Sequence, residues 1–200
     1  MKKFVLFIAL FVLIGCTLLG EYKFEDGLRE IEAIDVEHET SMYKERLDKV
    51  MLNTWDVEEM LDDLDAIEKR LERMSKTDDV KALLLLVEFR KTMLKAEHDM
   101  IKVRQIGSKG NIMDSFTCRD KPYILNASLL MKDAVYKGAD ALTTLDKLTG
   151  FAVASEHINR DKIEFDESNV EKLLSQGNEG INIGREGGFC DKEEEKRAEQ

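Results

Sequence analysis

At 200 residues, with one proline, 7% aromatic and 36% charged side chains, the chain can bury a sizeable core and has the profile of long solvated helices. A formal net charge of −11 argues against nucleic acid as a partner, because phosphates are bound through Lys and Arg. It argues equally against direct adsorption to anionic headgroups, leaving solubility or attraction to basic partners as its role.

The chain opens with Met1-Lys2-Lys3, a short positive region, and then runs through apolar residues without a break from Phe4 to Ile14. That run has the size of a signal-peptide core and is too short to span hydrocarbon. Leu13-Ile14-Gly15-Cys16 follows at its end and resembles the lipobox of bacterial-type lipoprotein signal peptides. The resemblance implies cleavage before Cys16, which would carry diacylglycerol on its sulfur and become the new N-terminus. It covers residues 1–16 only. An uncleaved anchor helix over Phe4 to Leu19 also fits, as does a plain signal peptide that releases the body. All three place the rest of the chain outside the cytoplasm, and the first two hold it at a membrane. On this reading residues 1–15 are signal peptide or anchor helix, 16–21 a tether, and 22–176 a helical domain.

Within that domain, residues 22–52 are helix-prone, with Leu28, Ile31, Ile34, Tyr43, Leu47, Val50 and Met51 as core candidates. Asn53-Thr54 followed by acids is an N-cap signature. It either starts a second helix or is passed through by one long one. Val57, Met60, Leu64, Ile67, Leu71 and Met74 then alternate in steps of three and four, a heptad seam. Ser75 to Asp79 reads as a turn, with Ser75 or Thr77 capping a helix to about Ile106. The seam of that helix is Leu83, Leu86, Phe89, Met93, Ala96, Met100 and Val103. The all-apolar run Leu83 to Val87 marks it as the most buried element.

Gly107 and Gly110 read as the end of that helix, and a loop through Cys118 leads to Asp120 as a cap, with Pro122 in the first turn of the next. Ile124, Ala127, Met131, Ala134, Gly138, Ala141, Leu145 and Leu148 form its seam, small enough in the middle for a neighbouring backbone to come close. Gly150-Phe151 fits a helix-ending motif with Phe151 folded back. A short helix is expected within 151–160, and Ser168-Asn169-Val170-Glu171 is a capping box opening one more, closed by Gly177. Residues 177–190 read as a Gly-rich loop and 191–200 as a disordered charged tail. With Cys16 assigned to the anchor, Cys118 and Cys190 are an even pair in an oxidising compartment and read as a disulfide. Its loop of about 72 residues would be worth roughly 4 kcal/mol by chain entropy.

Catalytic and metal chemistry finds little footing. His38, His98 and His157 each neighbour acids, but adjacent helical positions diverge by about 100° and cannot share an ion. Only Asp35-x-x-His38 approaches the spacing of di-iron bundles, so each histidine reads as a solvated surface residue. The acids Glu58, Glu59, Asp62, Asp63 and Asp65 lack an EF-hand loop, and Gly180 to Gly188 lacks the Lys-Ser/Thr ending of a phosphate loop. No nucleophile–base pair stands out, so no cofactor and no enzymatic activity are expected. The expectation is an all-α antiparallel bundle of three to four long helices with a small C-terminal helical or loop cap. Such a protein would be exported, membrane-anchored and engaged with a protein partner or with itself at the cell envelope. The alternative is a bundle sensing or carrying a small ligand or cation, with a cavity between the Ala/Gly face at 127–141 and the methionines Met93 and Met100.

Overall fold

The computed structural model of the chain describes residues 22–34, 54–110 and 120–186. The described residues are an all-α bundle without strands. Six helices make it up: α1 (24–34), α2 (Thr54–Glu72), α3 (Asp78–Gly110), α4 (Lys121–Thr149), α5 (Ala152–His157) and α6 (Arg160–Glu186). The signal segment and tether (1–21), residues 35–53, and the tail fall outside the described residues. So do Cys16, His38, Cys118 and Cys190.

The heptad seam of α2 is buried from Val57 to Leu71, and Met74 is packed against its end. The turn after it is closed by Thr77, whose Oγ1 accepts a hydrogen bond from Val80 N at 3.3 Å. That is the N-cap role a Thr side chain performs for an otherwise unpaired backbone donor. The chain reverses there, so α3 runs back along α2. Lys91 meets Asp65 and Glu68, and His98 meets Glu58. α3 passes through Gly107 and extends to Gly110. It buries two sides rather than one: Val80, Ala82, Val87, Leu94 and Ile101 join the expected seam. It can do so because helices flank it on both sides, with α2 on one and α4 on the other.

α4 again runs antiparallel to α3. Asp99 of α3 meets Lys137, while Leu86 shares a lining with Leu145 and Leu148. Asp120 occupies the N-cap position of α4 without making a side-chain cap bond, and Pro122 sits in the first turn. At the other end Gly150 has φ −71°, right-handed rather than left-handed, so the expected glycine C-cap geometry does not form. The last turn instead tightens through Gly150 N and Phe151 N bonding to Lys147 O and Leu148 O. Phe151 packs against the core as expected.

The C-terminal part is larger than the small cap read from the sequence. Asn159, not Ser168, starts the last helix: its Oδ1 accepts from Asp161 N at 3.0 Å. α6 then runs unbroken through Ser168 and Gly177 to Glu186, so residues 177–186 are helix and not Gly-rich loop. The reason is packing. A Cβ at Gly177 would stand 2.4 Å from Val135 Cγ2 and 3.4 Å from Met131 O, so glycine is what lets α6 seat on α4. Leu173 and Leu174 fill the space over Gly138 one turn away, which makes the two helices antiparallel. Burial of these leucines against α4 outweighs the roughly 1 kcal/mol a helical glycine costs.

α1 runs alongside the first turns of α3 in the same direction, with Gly27 against Leu83 and Ile31 near Leu86 and Arg90. Phe24 and Ile31 are buried in the main core, and Phe24 N donates to Asp79 Oδ2 at 3.1 Å. No helix among the described residues is long and apolar enough to cross a membrane.

Candidate interaction surface

The interior offers little room. Ala134 packs with Ala96, Leu173 and Met100 where the sequence suggested a cavity beside the Ala/Gly face, because leucines of α6 occupy that space. A cavity lies elsewhere, between Leu28, Ile31, Leu86, Leu145 and Arg90, and measures about 10 Å³. That holds about one water and no metabolite.

The buried acids Asp99 and Asp166 are each paired with a cation on another helix. Arg90 of α3 donates two hydrogen bonds to the Asp166 carboxylate of α6, at 3.1 and 3.0 Å, with both side chains largely buried. Lys162 reaches Glu32 of α1 at 3.2 Å beside it. Asp99, also buried, is met by Lys137. On the α2–α3 seam, Lys91 lies 2.5 Å from Asp65 and 2.6 Å from Glu68. Burial works against the Lys91 charge, but hydrogen bonds to the two carboxylates outweigh it and raise its pKa. The same hydrogen bond holds the Asp65 carboxyl below its usual range. Near the bundle end, Arg70 of α2 pairs with Glu30 of α1, and burial followed by the Glu30 charge pushes the Tyr22 hydroxyl upward.

His98 and His157 pair with different partners. His98 faces Glu58 at 3.3 Å between α2 and α3, its side chain largely buried rather than solvated because α2 covers that side of α3. His157 stands 3.4 Å from Glu25, with the Phe24 ring beside it at 5.9 Å. Among the described residues no three His, Cys, Asp or Glu side chains converge as metal ligands. In the acidic cluster of α2, Glu58 and Asp65 serve as ion-pair partners and Glu59, Asp62 and Asp63 face outward.

The outward face of α4 is different in kind. Leu125, Leu129 and Tyr136 are 50%, 62% and 59% exposed. With Lys132 they follow steps of four, three and four, so they form one row along the helix. At 3.6 residues per turn that row lies opposite the buried seam of the same helix. Lys132 Nζ sits 5.7 Å from the Tyr136 ring centre, a cation–π contact that holds both side chains over the row. Sequence reasoning followed the stronger Ile124–Leu148 seam and passed over this second one. Its signal is the same three–four alternation, displaced by half a turn. Scattered exposed apolar residues are ordinary, whereas a row of them at heptad spacing is the pattern by which helices pair.

Comparison with known proteins adds no relative: no family model, curated protein or solved structure matches the chain.

Proposed function

We propose that the protein is a membrane-tethered, extracytoplasmic helical bundle whose task is protein interaction at the cell envelope, with the outward face of α4 as its binding surface. The observation that carries the reading is the apolar row Leu125, Leu129 and Tyr136, on the side of α4 opposite a seam that is buried from Ala134 to Leu148. A helix with one apolar face has satisfied its folding requirement, and a second apolar face serves something outside the domain. The lipobox-like Leu13-Ile14-Gly15-Cys16 supports the tether and the compartment. A cavity that holds about one water gives no comparable support to a ligand-carrying role.

Photo-crosslinking tests this in the chain's own membranes. A photoactivatable residue in place of Leu129 should give a discrete protein adduct, and one in place of the exposed Glu59 on α2 should not. No adduct from position 129, or equal adducts from both, contradicts the reading.

A further inference from the structure

We infer that the bundle stands on an anionic lipid surface on one end, where α2 turns into α3, with Lys69, Arg73 and Lys76 as its contacts. This rests on the membrane tether proposed above and adds the orientation that the tether allows. Position carries the first half of the argument. Tyr22, the first described residue, is held at that end: Arg70 Nη2 donates to its hydroxyl at 3.4 Å, and Phe24 N donates to Asp79 at the start of α3. Residues 16–21 number six, so they reach at most about 20 Å from a lipid on Cys16. α2 has 19 residues and is about 28 Å long, so its start at Thr54 lies well beyond the end that the tether holds.

Charge carries the second half. Between Asp56 and Asp63, α2 holds five acids and no base. From Lys69 to Lys76 the balance reverses, with four bases against Glu72. Arg70 is engaged by Glu30, whereas Lys69, Arg73 and Lys76 are exposed at the end of α2 and in the turn after it. Asp78, the next acid, is taken up by Lys81 at 2.9 Å. The helix dipole accounts for bases in the last turn of α2, but its pull fades within that turn and Lys76 lies beyond it. The sides of the bundle offer no equal attraction. α6 holds seven acids against four bases, and α4 three against four. On the exposed side of α3, Lys95 lies within reach of the Asp65 charge, and Glu88 interrupts the lysines. A net charge of −11 disfavours adsorption of the molecule as a whole, so the tether supplies attachment and the basic end selects which way the bundle faces. Each exposed base beside an anionic surface strengthens contact about fivefold, and three together favour this end by on the order of a hundredfold.

Quenching of tryptophan fluorescence by nitroxide-labelled lipid tests this on the full chain, purified from its own membranes and reconstituted into vesicles of mixed anionic and zwitterionic lipid. Trp55 is the one tryptophan of the chain and marks the far end of α2. In a Trp55→Phe background, Ser75→Trp marks the proposed contact, and Ile106→Trp and Leu129→Trp mark the far parts of α3 and α4. Circular dichroism checks that each variant keeps its helicity. Tryptophan at position 75 should be quenched, and tryptophan at 55, 106 or 129 should not. Quenching at any of those three equal to that at 75 overturns the orientation, as does no quenching at 75. Lys69→Glu, Arg73→Glu and Lys76→Glu together should abolish quenching at 75 without releasing the chain from the vesicles. Purely zwitterionic vesicles, or high salt, should do the same, because the contact is a screened surface attraction. Quenching at 75 that persists through these changes overturns the basic contact. Vesicle flotation separates this failure from failure of the tether. A chain that does not float with the vesicles removes both readings, and one that floats with the wrong quenching pattern removes the orientation alone.

Discussion

Gly177 of α6 and Val135 of α4 approach so closely that a Cβ on the glycine would lie 2.4 Å from Val135 Cγ2. Valine has little freedom to withdraw, because its branched Cβ restricts it to few rotamers. Gly177→Ala should therefore destabilise the domain by about 1–3 kcal/mol, the range for overpacking, despite alanine's better helix propensity. Gly138→Ala should cost less, because the atoms it meets at 3.0 and 3.1 Å are the ends of Leu174 and Leu173 side chains. Gly107→Ala meets nothing within 4 Å and should stabilise by up to about 1 kcal/mol. Urea midpoints of the three variants check the order; equal effects would mean that helix propensity alone governs these sites.

That contact also shows where sequence reading stops. A glycine followed by Asn178, Glu179 and Gly180 looks like the end of a helix, and only the neighbouring helix explains why it is not one. The same holds for Ser168-Asn169-Val170-Glu171, whose local capping signal is overridden once Val170 and Leu173 are buried in one continuous row. Seams were legible where an element buries a single face: Val57, Met60, Leu64, Ile67 and Leu71 lie inside as their spacing requires. Thr77 was legible too, because capping is local chemistry. The buried ion pairs were not. Asp166 sits in the three–four row between Ile163 and Val170, and its partner Arg90 is 76 positions earlier in the chain. Nothing local announces that pairing.

Arg90 and Asp166 are both shielded from water, so removing one leaves the other's charge buried without its partner. Asp166→Ala should cost about 3–5 kcal/mol, in the range measured for broken buried pairs. Replacing both residues with apolar side chains of similar volume should recover most of that loss. A double-mutant cycle in urea checks it. A coupling energy near zero would mean that the two side chains contribute independently.

The Lys91–Asp65 contact predicts a pH dependence. Asp65 has a depressed pKa in the folded state, so its contribution is present above the ordinary carboxylate value and is lost as pH falls through the folded value. Lys91 is raised, so its contribution is complete below its ordinary value of 10.5 and is lost as pH rises through the higher folded value. The stability difference between wild type and Asp65→Asn should be flat from about pH 5 to 10 and shrink below the ordinary carboxylate range. Its size should be roughly a few tenths of a kcal/mol, because the Asp65 side chain is 41% exposed and solvent screens it. Chemical denaturation at pH 7, 4 and 3 measures it. A difference that stays constant to pH 3 would contradict the assignment.

The proposed function requires the α4 face to be covered in the membrane. Hydroxyl-radical footprinting answers that directly, because two oxidisable aromatics provide an internal comparison. Tyr136 lies on the row and Trp55 lies on α2, at 59% and 64% exposure in the isolated chain. In native membranes Tyr136 should be protected relative to the purified, diluted chain, while Trp55 labels to the same extent in both. Equal labelling of Tyr136 in the two preparations would mean that nothing covers α4, and the proposed function would be wrong.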